Sequence, residues 1–210
     1  MFKYRHIIWD WNGTLLDDAW LCVDVMNGML ARRRLPPLTA ERYQVIFDFP
    51  VIDYYRRAGF DFAVDPFEQL SDEFITEYRH RVLTCGLRAG TRETLAWARD
   101  NGITQSVLSA MKQEDLDTMI DHFDLRTYFT DIVGIADHHA AGKVESAQRW
   151  IAAQDLHPAD MVFIGDTTHD YEVAQILGVD CYHIPGGHHA RDRLVASGAR
   201  VLESLADLYQ

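Results

Sequence analysis

Five short apolar runs, each ended by a polar or glycine-containing turn, constrain this chain more than any other feature. They are HIIWD (6–10), SVLSA (106–110), DIVGI (131–135), MVFIGD (161–166) and DCYHI (180–184). Runs of this length without strict alternation suit strands buried on both faces of a parallel sheet. Helical patterns separate them. Residues 91–101 put Leu95 and Ala98 on one face, and 113–123 put Leu116, Met119, Ile120 and Phe123 at helical spacing. Residues 143–154 and 170–177 follow the same period, and Gly102 and Gly178 stand where helix C-caps belong. Alternation of this kind predicts an α/β fold, a doubly wound parallel sheet of Rossmann-like form.

The stretch from 17 to 86 breaks the rhythm and is helical throughout in pattern. Residues 18–34 carry Leu21, Val25, Met29 and Leu30 at helical spacing, Pro36-Pro37 ends that run, and Thr39 is placed to cap the next helix. Residues 66–83 put Phe67, Leu70, Phe74, Ile75, Tyr78 and Val82 on one stripe, which reads as core packing. The expected organisation is therefore an α/β core made of 1–16 and 87–210, interrupted by a helical subdomain over 17–86.

With 210 residues, the chain is long enough to bury about 70% of its unfolded surface without a disulfide scaffold. Its 32 acidic against 20 basic side chains leave a net charge of −12, which disfavours nucleic acid and anionic membranes as partners. Cys22, Cys85 and Cys181 lie far apart with no metal-ligand spacing, as expected of buried thiols in a reducing compartment. No run approaches the ~18 apolar residues of a membrane helix, and the opening MFKYRHIIWDWNG lacks the long apolar stretch of a signal peptide. A cytoplasmic monomer or homodimer is the expectation.

Ligands of open α/β sheets bind at the carboxyl ends of the strands. Asp10 stands there after the first run, with Asn12-Gly13-Thr14 in the turn that follows. Ser109 and Ala110 close the second run, Asp166 closes the fourth, and Asp170 follows it by four residues. Lys143 begins a helix after a loop containing His138 and His139. Three carboxylates brought to one sheet edge repel one another unless a cation lies among them, and hard oxygen donors favour Mg²⁺. A lysine and a hydroxyl nearby supply what a phosphate needs, and a carboxylate nucleophile becomes plausible.

These residues carry a family resemblance. DWNGTLLDD (10–18) resembles the first motif, DxDGTLxD, of the haloacid dehalogenase-like hydrolases. Ser109 matches the second-motif hydroxyl, Lys143 the third-motif lysine, and GDTTHD (165–170) the fourth motif, GDxxxD. The resemblance spans nearly the whole chain and is strongest to the phosphoglycolate phosphatase-like branch, whose helical cap 17–86 resembles. It implies a Mg²⁺-dependent phosphatase acting on a small phosphorylated metabolite. Asp10 would attack phosphorus and, with Asn12, Asp166 and Asp170, hold the metal; Ser109, Ala110, Lys143 and Thr14 would hold the phosphoryl group. Within the helical segment, FDFPVIDYYRRAG (47–59) resembles a specificity loop, with Arg56 and Arg57 placed to meet an anionic tail.

One residue departs from the pattern. Where the family has a second aspartate that protonates the leaving alkoxide, this chain has Asn12, which keeps the carbonyl but cannot transfer protons. Loss of such help costs about 10²–10⁴ in rate. Several explanations stand at this stage. One of His138, His139, His169, His188 or His189 does the proton work; or the substrate has a good leaving group; or the protein is a slow enzyme or a phosphoester binder; or the asparagine is an introduced change. A phosphomutase fits less well, since it must also activate a sugar hydroxyl. A dehalogenase has no use for the acidic GDxxxD pair.

Overall fold

A computed structural model describes residues 2–135 and 142–209. The parallel sheet is formed by β1 (His6–Trp9), β4 (Thr104–Lys112), β5 (Asp131–Ile135), β6 (Met161–Gly165), β7 (Asp180–His183) and β8 (Arg200–Val201). Its order is β5-β4-β1-β6-β7-β8, and every pairing is parallel. The five runs read from the sequence form five of these strands. The two-residue β8 is too short to leave a pattern. The chain moves outward from β1 to β4 and β5, then returns to the other side of β1 with β6, so the strand order reverses there and opens a crevice at the carboxyl ends. The central strands are buried along their length because both faces are covered.

The helices α5 (Thr91–Asp100), α6 (Gln113–His122), α7 (Gly142–Ile151), α8 (Thr168–Leu177) and α9 (Arg191–Ala196) accompany the strands. Their apolar stripes are the expected ones: Leu95 and Ala98 on α5, and Leu116, Met119 and Ile120 on α6, are buried. Gly178 ends α8 with φ of 72°, a conformation that costs an L side chain energy and glycine nothing. Cys22, Cys85 and Cys181 are free and buried. Among the described residues no helix is long and apolar enough to cross a membrane.

The inserted segment holds α1 (Ala19–Arg32), α2 (Ala40–Ile46), α3 (Val51–Ala58) and α4 (Phe67–Arg81). Thr39 caps α2 by accepting from the amide of Arg42, as its position suggested. Three features differ from expectation. First, the segment is not helical at its roots: β2 (Leu16–Asp17) pairs antiparallel with β3 (Gly86–Leu87), joining the entering and leaving chains in a short ribbon. Two-residue strands carry no readable period. Second, residues 51–58 of the expected loop are a helix that buries Tyr54, Tyr55 and Ala58 and ends at Gly59. Third, Phe74 and Ile75 of α4 are only partly buried, because their face of the stripe lines a cavity rather than the core.

The segment is fastened over the sheet edge by polar contacts to the core. Tyr43 Oη lies 2.7 Å from Nδ1 of His188, Gln44 donates to the carbonyl of Gly187, and Arg193 donates to the carbonyl of Phe47 and pairs with Asp48. Arg79 of α4 pairs with Asp115 of α6.

Ile164 is fully buried in β6, between β1 and β7, whereas Ile176 on α8 is half exposed. Ile164→Ala should therefore lower the unfolding free energy in urea by about 2–5 kcal/mol, and Ile176→Ala by no more than about 0.5 kcal/mol. Equal effects would place the core elsewhere.

Candidate active site

Asp10 follows β1 without a break, and its amide donates to the carbonyl of Ile164 on the neighbouring β6. Asp166 follows β6 in the same way, and Asp170 sits in the first turn of α8. All three are buried, and one carboxylate oxygen from each lies within 4.8 Å of the others. Glycine makes this crowding possible. A Cβ on Gly13 or Gly187 would overlap the Asp166 carboxylate, and one on Gly165 would overlap that of Asp170.

Lys143, near the start of α7, sets the charge. Its Nζ is 2.6 Å from Oδ1 of Asp10 and 2.7 Å from Oδ1 of Asp170. Burial opposes its protonation, but the two carboxylates outweigh burial and hold the ammonium charged. Its two partners respond differently. Burial pushes Asp10 up to about 8, against the pull of Lys143 and with the repulsion of Asp170 and Asp166. Asp170 is equally buried, yet falls to about 2 because Lys143 is joined by the amide and hydroxyl of Thr167, which both donate to Oδ2. Asp170 thus completes the capping box of α8 with one oxygen and binds the lysine with the other. Burial also raises Asp166, whose oxygens accept from the Thr14 hydroxyl at 2.9 Å and the His188 amide at 2.5 Å.

Among the described residues no donor reaches Oδ2 of Asp10, so that oxygen is free to act on a ligand. The all-oxygen donor set, the crowded glycine cradle and the raised Asp10 and Asp166 fit a hard divalent cation. Asp10, Asp166, Asp170 and the carbonyl of Asn12 are the groups that would hold it.

Asn12 is locked in place. Its amide nitrogen donates to Oδ2 of Asp18 at 2.8 Å and to Oη of Tyr78, from α4, at 2.9 Å; Tyr78 in turn donates to Asp18 at 2.7 Å. Asp18 also accepts from the amide of Gly13 and lies 3.4 Å from Nε2 of His188. Burial works against the charge on Asp18, but His188, Tyr78 and Asn12 prevail and lower its pKa. Burial likewise works against charge on His188, and Asp18, Asp166 and Asp10 reverse it, raising the imidazole to about 9. Asp18, Cys22 and His188 also bring ligand-type atoms within 4.8 Å of one another. Their donors and acceptors are taken by Asn12, Tyr78 and Tyr43, and burial pushes the Cys22 thiol well up, so this group is a hydrogen-bonded network.

The structure gathers Asp10, Asn12, Ser109, Ala110, Lys143, Asp166 and Asp170 at one edge of the sheet. Ser109 is buried; its Oγ accepts from the Met111 amide and lies 3.5 Å from Oδ1 of Asn12. Thr14 binds Asp166 rather than facing the cavity. Arg56 and Arg57 are not brought in. Tyr54 and Tyr55 occupy the inward face of α3, which turns the next two residues to solvent. There Arg56 pairs with Asp53, and Arg57 reaches Asp48 and the carbonyl of Ile46. Of the histidines, His138 and His139 lie outside the described residues. His169 approaches Glu172, and burial holds His189 neutral at about 3 while its Nδ1 accepts from the Thr168 amide. His188 lines the cavity with Asp10 and Asn12. Asp18 and Tyr78 stand in the quoted motif and the α4 stripe, but only the fold shows that they meet.

Next to Asp10 the helical segment and the sheet edge enclose a cavity of about 340 Å³.

The model of the family described as haloacid dehalogenase-like hydrolase matches residues 7–184. A phosphoglycolate phosphatase from Synechococcus elongatus is 24% identical, over 97% of this chain and 95% of its own length. One from Pseudomonas putida is 26% identical, over 97% of this chain and 78% of its own. A haloacid dehalogenase-like family hydrolase of known structure from Streptococcus pneumoniae superposes with a TM-score of 0.83 at 15% identity, covering 99% of this chain and 98% of that one, which shows the shared fold.

Two outcomes follow from the site. With a pKa near 8, Asp10 holds a proton at neutral pH until a cation displaces it. Apparent Mg²⁺ affinity should therefore rise between pH 6 and 8, approaching about tenfold per unit, with about one proton released per ion when calorimetry is run in two buffers. Without metal, melting temperature should fall across the same range. The folded state keeps on Asp10 a proton that the unfolded chain gives up near 4, and His188 adds to the loss as pH passes from 6.5 towards 9. A pH-independent affinity with no proton release would refute the assignment. Second, Asn12→Asp would set a carboxylate against Asp18 in place of a 2.8 Å hydrogen bond. It should cost about 1.5–3 kcal/mol at pH 8, largely restored by Asp18→Asn in the same chain. Additive effects of the two changes in urea unfolding would show no such coupling.

Proposed function

The chain belongs to the haloacid dehalogenase-like hydrolase family, and on that premise we propose that it removes phosphate from a small phosphorylated metabolite through an aspartyl-phosphate at Asp10. The observation that carries this reading is the pairing of Asp10 with Lys143 beside two further buried aspartates. One Asp10 oxygen is held by the ammonium at 2.6 Å, while among the described residues no donor reaches the other. The free oxygen forms a bond to phosphorus as the bond to the leaving oxygen breaks. Water then attacks the phosphorus, the Asp10–phosphorus bond breaks, and the carboxylate returns. Mg²⁺ at the carboxylates would neutralise phosphate charge when bound.

This chain's residues do the rest. Lys143 offers a buried positive charge to the phosphoryl oxygens and keeps Asp10 oriented. Ala110 lines the cavity with Asp10 and Lys143, and Ser109 just before it holds the Met111 amide, so this turn would border the phosphoryl group. Thr14 and the His188 amide fix Asp166, and Thr167 fixes Asp170. The helical segment acts as a cap that closes over the ligand and excludes water, with Tyr78 and Tyr43 as its contacts to the reacting edge. Relatives named phosphoglycolate phosphatases support the reaction class.

Phosphate release from p-nitrophenyl phosphate or acetyl phosphate should require Mg²⁺ and fall at least ~10³-fold in Asp10→Asn. Tight vanadate binding without turnover of either compound would favour a binding protein instead.

A further inference from the structure

We infer that the alcohol released by this hydrolase is aromatic, a phenol held against the cap, rather than a small hydroxy acid. The inference rests on the phosphatase reading above and names its substrate class.

The first observation is the cavity. Beyond Asp10 it is walled by Phe49, Tyr54, Phe74, Ile75, Val82 and Met111. Phe74 and Tyr78 present nearly parallel rings, inclined by 14°. A flat apolar group is favoured there by burial and by ring contacts. A carboxylate is not. The cations that line the cavity are already matched: Arg79 by Asp115, Lys112 by Glu114, His188 by Asp18, and Lys143 by Asp10 and Asp170. Arg56 and Arg57 stay outside it. Among the described residues, therefore, a glycolate-type tail would have to compete with an existing carboxylate for every cation that lines the cavity, whereas the apolar wall asks for no such partner.

The second observation is independent and concerns protons. Asn12 has none to give, and its amide hydrogens are held by Asp18 and Tyr78. The Tyr78 hydroxyl is spent on Asp18. The two nitrogens of His188 face Tyr43 and Asp18, so neither is left for a leaving oxygen. Among the described residues the network is closed on itself. An alkoxide expelled here would find no proton donor among the described residues. A phenolate, whose conjugate acid has a pKa of about 10, can leave with the bonding electron pair unaided. The phosphorus–oxygen bond breaks towards the phenolate as the Asp10–phosphorus bond forms. Water later displaces Asp10 from phosphorus, and the proton that water loses is taken up through solvent by the phenolate, giving a phenol and inorganic phosphate.

The test compares kcat/KM for phenyl phosphate, cyclohexyl phosphate and phosphoglycolate with Mg²⁺ present. Cyclohexyl phosphate keeps a six-membered apolar ring but has a poor leaving group. Phenyl phosphate should exceed both others by at least ~100-fold, and substituted phenyl phosphates should speed up as the phenol becomes more acidic. In Ile75→Lys, which adds a cation to the cavity wall, the ratio of phosphoglycolate to phenyl phosphate turnover should rise at least ~10-fold. Phosphoglycolate outperforming phenyl phosphate would overturn this inference and leave the phosphatase reading intact. Cyclohexyl phosphate matching phenyl phosphate would overturn the leaving-group argument. No turnover of any of the three, or of acetyl phosphate, would overturn the phosphatase reading itself.

Discussion

One ammonium, Nζ of Lys143, stands between Asp10 and Asp170 at 2.6 and 2.7 Å, and the rest of the site is arranged around that sharing. Four buried carboxylates, Asp10, Asp18, Asp166 and Asp170, meet two cations, Lys143 and His188, among the described residues. The shortfall equals the charge of one divalent ion. Without that ion the site relieves itself by leaving a proton on Asp10, the carboxylate with the fewest hydrogen-bond donors, rather than on Asp170, which Thr167 also serves. The electrostatic strain is thereby placed on the group that the proposed reaction uses as its nucleophile. In that reaction, a cation that displaced the proton would also free the oxygen proposed to attack phosphorus.

Much of this was legible in the chain because its causes are local. Buried parallel strands need continuous apolar runs, so β1, β4, β5, β6 and β7 announced themselves, and their carboxyl ends located Asp10, Ser109 and Asp166. Two of the glycines that admit the carboxylates, Gly13 and Gly165, lie within the same motifs, whereas Gly187 lies outside them. What escaped depends on contacts made across long separations. The ribbon of β2 and β3 is too short to show a period. Arg56 and Arg57 sit within one helical turn of Tyr54 and Tyr55, and only the direction in which α3 docks decides which pair faces the cavity. Phe74 and Ile75 read as core because a stripe facing a cavity has the same spacing as one facing another helix.

The same limit applies to Asp18. In the sequence it is the last letter of DWNGTLLDD, one acidic residue beside another. In the fold it accepts from Asn12, Gly13 and Tyr78 and faces His188, joining three distant parts of the chain. Asn12 read in isolation is a loss, a motif aspartate without its proton. Read with Asp18 it is a fit: the amide supplies two hydrogens to a site already rich in carboxylates, where another acid would have to find a proton of its own.

That fit reaches into the helical segment. Tyr78 belongs to α4, yet its hydroxyl donates to Asp18 and accepts from Asn12 in the turn after β1. Tyr43 of α2 shares a hydrogen bond with Nδ1 of His188, whose amide holds Asp166. The groups that set the charge of the reacting edge are therefore completed by the element that covers it. Lifting the segment away would leave Asp18 and His188 short of partners in a partly opened, wetter site, where charge interactions weaken. Covering the edge and balancing its charge thus fall to the same residues. A ligand placed against the apolar wall of Phe74, Ile75 and Val82 would bury that wall and add to the contacts that hold the segment over the edge.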